Sequence, residues 1–200
     1  MLRLRLRTLV ALGVLAVATT ASGRAFGLHS GLFVISELAL LVAMFLVLRY
    51  VVPLVERRDR GATGEEHVGR LLEQLDGGWS VIHDASFDHG NVDHIVCGPG
   101  GLFTIETKSH PGPVKVRSIH GGVLRQAQDE RETIERITGE RVEPLLVFSR
   151  AWVDKPLARR RGVRVMPARM LLGYLGKQAH GLSGEQIRTA RARIIAALDE

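Results

Sequence analysis

Asn91–Lys108, NVDHIVCGPGGLFTIETK, is the stretch whose reading decides the fold. Two runs rich in Val, Ile and Phe flank Pro99-Gly100, a turn-forming pair, which predicts a hairpin of strands 91–98 and 102–108. A two-residue turn there makes opposing residue numbers sum to 199, so Asp93 faces Glu106. Strand alternation then puts Asp93, Ile95, Cys97, Thr104, Glu106 and Lys108 on one face, with His94, Val96, Phe103 and Ile105 on the other. Like charges directly opposed on a sheet repel, at a cost of roughly several tenths of a kcal/mol. A compensating cation is therefore expected. Lys108 is one candidate; a divalent metal such as Mg²⁺, which takes hard oxygen ligands and keeps some of its waters, is the better one.

On the N-terminal side, Thr63 and Glu66 form a capping-box signature ahead of Val68, Leu71, Leu72 and Leu75 at helical spacing, and Gly77-Gly78 ends that helix. At about 100° per residue, Glu65 lies at the edge of the apolar stripe and can reach a sheet beneath it, whereas Glu66 points to solvent. Trp79–His83 reads as a strand. On the C-terminal side the pattern predicts a fourth strand over Val114–Ile119, a polar helix over Leu124–Ile137, and strands over Arg141–Ser149 and Val163–Met166. Helices over Ala168–Leu175 and from Ser183 to Leu198 follow. This order indicates an α/β domain with a central mixed β-sheet flanked by helices.

The N-terminal third has a different composition. Residues 1–55 contain one acidic residue, Glu37, and residues 31–52 supply roughly the twenty apolar positions a membrane-crossing helix needs. The sequence therefore predicts a membrane anchor over 1–55. Its second apolar run, 8–22, is either the first arm of a transmembrane hairpin or a cleaved signal segment. Both alternatives place the remainder on the cytoplasmic side, with Arg49, Arg57, Arg58 and Arg60 at the interface. Residues 56–60 form a basic linker, 61–150 the core, and 151–200 a basic C-terminal extension.

The formal net charge is +6, and the segment Lys155–Arg193 holds ten basic residues against Glu185 alone. Such a surface suits phosphate backbones, with Arg159, Arg160, Arg161 and Arg164 as the candidate contacts, or anionic lipid. The single cysteine, Cys97, excludes an intramolecular disulfide and falls in an apolar run, as a buried hydrophobe would.

Taken together, GATGEEHVGRLLEQL (61–75), VIHD (81–84) and NVDHIVCGPGGLFTIETK (91–108) resemble the nuclease-related domain, a branch of the restriction-endonuclease-like PD-(D/E)XK superfamily. The likeness covers about residues 61–148. It implies a restriction-endonuclease-like core in which Glu65, Asp93 and Glu106 hold Mg²⁺ or Mn²⁺ while Lys108 orients or activates the attacking water. Gln126 resembles a glutamine that supports such sites, and is equally readable as a solvent-facing helix residue. The expectation is a membrane-anchored, metal-dependent nuclease hydrolysing phosphodiester bonds in DNA. The alternative is a catalytically inactive module of the same fold that binds nucleic acid or a protein partner at the membrane.

Overall fold

The computed structural model describes residues 13, 19, 23, 31–88, 90–178 and 181–198. The chain divides into two units, Met1–Arg60 and Gly61–Glu200.

In the first unit, helix α1 (Gly31–Leu46) is followed by a π-helical turn at Val47–Val51 and then by helix α2 (Val52–Leu72), which continues into the second unit. This corrects the expected anchor. The α-helical part of the apolar run is 16 residues, which at about 1.5 Å per residue is roughly 24 Å against the ~30 Å of hydrocarbon to be crossed. Beyond the π-turn the helix becomes polar. Among the described residues no helix is long and apolar enough to cross a membrane. Among the described residues no transmembrane helix is thus found ahead of the α/β core, and the membrane partner, membrane location and cytoplasmic orientation inferred from such helices lose their basis. The run 8–22 lies outside the described residues apart from Gly13 and Thr19.

Helix α2 also passes unbroken through Thr63, so the capping-box pattern there starts no helix. A cap needs backbone that turns away before the first helical residue, and here the preceding residues are already helical.

The second unit is built on a six-stranded mixed sheet. Its strands are β1 (Ser80–Phe87), β2 (Gly90–Gly98), β3 (Gly101–Lys108), β5 (Val142–Phe148), β7 (Arg159–Arg160) and β8 (Val163–Pro167), in the order β1-β2-β3-β5-β8-β7. β1, β2 and β3 are antiparallel, β3, β5 and β8 parallel, and β7 closes the edge antiparallel to β8. Two short strands, β4 (Gly112–Val114) and β6 (Ala151–Val153), form a separate parallel pair. The fourth strand expected over Val114–Ile119 reduces to the end of β4 and a 3₁₀ turn at Val116–Ser118.

Helix α3 (Gly121–Thr138) makes the crossover from β3 to β5. It starts at His120, whose Nδ1 accepts the Gly122 N–H at 3.1 Å, and stops at Gly139 in the left-handed conformation, φ 73°. Helix α4 (Leu171–Leu175) follows a 3₁₀ turn at Ala168–Met170. Helix α5 (Gly184–Leu198) begins with a reciprocal cap: Gln186 N–H donates to Ser183 Oγ at 3.3 Å and Ser183 N–H donates to Gln186 Oε1 at 3.0 Å.

The sheet is covered on both faces. Val68 and Leu72 of α2 pack with Leu171 and Leu175 of α4 over Val96, Phe103 and Ile105. On the other face Leu124 and Ala127 of α3 cover Leu146 and Val165, while Ile134 and Ile194 cover Ile95, Cys97 and Leu102. Cys97 is wholly buried, and burial pushes its thiol up to about 12.

Candidate active site

The β2–β3 hairpin fixes the geometry. Its register runs from His94↔Ile105 to Gly98↔Gly101 across the Pro99-Gly100 turn, so every pair sums to the same number. Asp93 and Glu106 lie just beyond the last pair. Asp93 Oδ2 accepts the Thr107 N–H at 2.7 Å, which ties the carboxylate of β2 to the backbone of β3.

Glu106 is only 1% exposed and both its oxygens are engaged. Oε1 pairs with Lys108 Nζ, and Oε2 accepts from Gln126 Nε2 at 2.8 Å. Gln126 arrives from α3, the helix that covers this face. One turn further along α3, Glu130 is 6% exposed, and neither of its oxygens has a hydrogen bond of ordinary geometry. Nothing at sequence level distinguished Glu130 from the other acids of a polar helix. The readable signal was its i+4 spacing from Gln126.

Glu65 arrives from the opposite side, because α2 packs on the His94 face. Gly64 lets that helix approach the ends of β3 and β5: a Cβ there would lie 2.8 Å from Ser109 Cβ and 2.9 Å from Ser149 Oγ. Glu65 thus meets the site around the end of the sheet, close enough to feel the charges of Glu106, Asp84 and Lys108. Asp84 falls between the pairs His83↔His94 and Ala85↔Val92, at the position facing Asp93, and takes a left-handed φ of 48°. That conformation is tolerated by Asp more readily than by most residues. Asp84 therefore sits on the strand beside that of Asp93, and its charge acts on Glu65.

The electrostatics are those of crowded carboxylates. Burial first, and then the Glu106 charge, push Asp93 up to about 7 despite the Thr107 N–H that favours its ionised form. Burial and the neighbouring Glu106 raise Glu130 well above the carboxylate range. Glu65 is raised by burial, Glu106 and Asp84. Burial works to lower Lys108, but the hydrogen bond and charge of Glu106 outweigh it and leave the ammonium raised. Lys108 therefore holds its proton, which suits placing an oxygen or screening an anion, not abstracting a proton.

Among the described residues no group of three His, Cys, Asp or Glu side chains is placed to hold a metal ion. With neither a membrane-crossing helix nor such a cluster among the described residues, the expectation of a membrane-anchored metal-dependent nuclease acting on DNA is corrected. The carboxylate oxygens there are already engaged, Asp93 Oδ2 by the Thr107 N–H and the two Glu106 oxygens by Lys108 and Gln126. What the site does hold is an excess of negative charge, with Asp93 forced toward its protonated form by burial and then by the Glu106 charge. Once ionised, such carboxylate oxygens fit a hard divalent cation, which one or two carboxylates plus water suffice to bind.

His94, directly across from His83, is buried, with the two Nδ1 atoms 2.9 Å apart. Burial and His83 lower it to about 4, so it is a neutral packing residue under α2. The four candidate arginines lie elsewhere. Arg159 and Arg164 both bond Glu143, Arg164 also donates to Leu157 O and stacks on Tyr174, and Arg160 donates to Val116 O. Arg161, with φ 49°, offers its carbonyl to Gln128 at 2.6 Å.

A family model, the nuclease-related domain, matches residues 60–149. An uncharacterised protein of Bacillus anthracis is 33% identical over 79 residues, 36% of this chain and 37% of that one. The chain thus spans little more than a third of the length of that curated relative. Among solved structures, a repair endonuclease from Pyrococcus abyssi is 19% identical, with a TM-score of 0.30, over 58% of this chain and 42% of its own. The EndoMS–dsDNA complex is 17% identical, with a TM-score of 0.34, over 60% and 45%. Pyrococcus furiosus SfsA in complex with Ca²⁺ is 15% identical, with a TM-score of 0.29, over 68% and 53%. Over residues 60–149 the chain is similar to the nuclease-related domain.

Proposed function

We propose that the domain from Gly61 onward is a Mg²⁺- or Mn²⁺-dependent phosphodiesterase acting on nucleic acid. The observation that carries this reading is the juxtaposition of Asp93, tied to the Thr107 N–H, with a buried Glu106 gripped by Lys108 and Gln126. Asp93 and Glu106 would hold the metal, with Glu65 and Asp84 adding negative charge at the end of the sheet. When bound, the metal would supply a Lewis acid and lower the pKa of a coordinated water.

The chain's own residues have separable tasks. Gln126 fixes the orientation of Glu106 by occupying Oε2. Lys108 keeps its proton and is available to place a phosphate oxygen or a water against the carboxylates. Asp93 presents one oxygen while the other is held by the backbone of β3.

The experiment is to incubate the full chain with labelled DNA and RNA in Mg²⁺, Mn²⁺ or EDTA, alongside Asp93→Asn and Glu106→Gln. Cleavage should require metal and fall by at least about a hundredfold in each variant. Metal-dependent cleavage that survives both substitutions sinks the proposal. Binding without turnover would reassign the domain as a nucleic-acid-binding module.

A further inference from the structure

Beside Lys108 lies a cavity of about 430 Å³, of the size that takes a small molecule. Ile119, Val123 and Phe148 supply apolar lining, and Lys108, Lys115 and His110 line it as well. None of the described residues lining it is acidic. That sets it apart from the cavity under α3, which Asp129 and Glu130 line, and from the one at the far end of the sheet, which holds Glu135, Glu140 and Glu143. Among these three cavities, an anion with an apolar body fits the one that shares Lys108 with the site.

A second observation concerns the mouth of this cavity. Pro113, which lines it, is the register partner of Trp152 in the β4–β6 pair. Paired residues of adjacent strands share a face, and Trp152 is 56% exposed. An exposed aromatic side chain is therefore carried directly across from a residue that lines a cavity holding Lys108 and Lys115.

We propose that this cavity is a subsite for one unpaired nucleotide next to the scissile phosphodiester. The base lies against Ile119, Val123 and Phe148, its phosphate against Lys115 and His110, and the adjacent base stacks on Trp152. The domain accordingly prefers single-stranded or frayed nucleic acid to intact duplex, because a paired base would have to leave its stack to enter, at a cost of a few kcal/mol. This inference rests on the hydrolase reading for its biological sense, but its test does not.

The test uses the full chain, with single-stranded and blunt duplex oligonucleotides carrying 2-aminopurine. Binding is followed by fluorescence in EDTA, and cleavage in Mg²⁺ or Mn²⁺. Val123→Trp fills the cavity; Trp152→Ala removes the stacking surface from an exposed position and leaves the core intact. Each variant should weaken single-strand binding roughly tenfold and leave duplex binding within about twofold. Equal affinity of the wild type for both substrates overturns the subsite, as does single-strand affinity unchanged in both variants. Single-strand binding lost in the variants, with no cleavage by the wild type, keeps the subsite and removes the hydrolase reading. Cleavage without single-strand preference does the reverse.

Discussion

The Thr107 N–H donates to Asp93 Oδ2 at 2.7 Å, so a carboxylate of β2 is held by the backbone of β3 one residue beyond Glu106. This bond favours an ionised Asp93, yet burial and the Glu106 charge override it. The balance between them makes the site's occupancy measurable through its stability.

Asp93 in the metal-free protein titrates near 7, against an ordinary value of 3.8. Between those values the folded state binds more protons than the unfolded one, so stability falls as pH rises through the window. At pH 8 Asp93→Asn should therefore raise metal-free stability, by on the order of a few kcal/mol, and raise Tm while abolishing cleavage. Adding Mg²⁺ or Mn²⁺ should stabilise the wild type more than the variant. Differential scanning calorimetry from pH 4 to 8, with and without metal, checks both signs. A variant that melts lower at pH 8 would contradict the charge-crowding account.

Gln126→Ala removes the Glu106 Oε2 partner without touching Lys108. A residue that orients a ligand should lower kcat, by about tenfold or more, and raise the metal concentration needed for half-activity. KM for the nucleic acid should move little. A change confined to KM would place Gln126 on the substrate instead.

Gly64→Val drives side-chain atoms into Ser109 and Ser149. The helix that carries Glu65 must shift away from the ends of β3 and β5. Activity should fall further than the 1–3 kcal/mol of stability typical of overpacking would explain, read by comparing cleavage rate with chemical denaturation.

Arg164→Ala breaks contacts to Glu143 and Leu157 O and the stack on Tyr174. Glu143 and Arg164 are each 19% exposed at the side chain, and Tyr174 O–H donates to Glu143 Oε2 at 2.6 Å. Losing this partly buried hub should cost about 2 kcal/mol or more. The salt dependence of nucleic-acid binding should stay unchanged, because the guanidinium is committed to the protein. A shallower salt slope with unaltered stability would put Arg164 on the nucleic acid.

The hairpin was legible in the sequence because its information is local: a Pro-Gly turn and strict alternation leave one register for Asp93 and Glu106. Strand β5 and helix α3 were readable for the same reason. What the sequence could not supply was the side of the sheet on which α2 packs, since an apolar stripe states that a face is buried but not against which surface. Glu65 accordingly reaches the carboxylates around the end of the sheet, close enough for charge to act between it and both Asp93 and Glu106. Glu130 was passed over because it looks like any acid in a polar helix. Its importance arises from helix-on-sheet neighbours. The membrane helix was over-read because hydropathy alone does not report the π-turn at Val47–Val51, where the α-helical run breaks.

The turn at Pro99-Gly100 has a bearing on how this site can change over generations. One residue inserted between β2 and β3 would slide the strands by a step, bring His94 opposite Glu106, and send Asp93 to the face covered by α2. The carboxylate pair is thus stored as the even length of a turn, and the shortest possible insertion erases it without altering any residue that takes part in it.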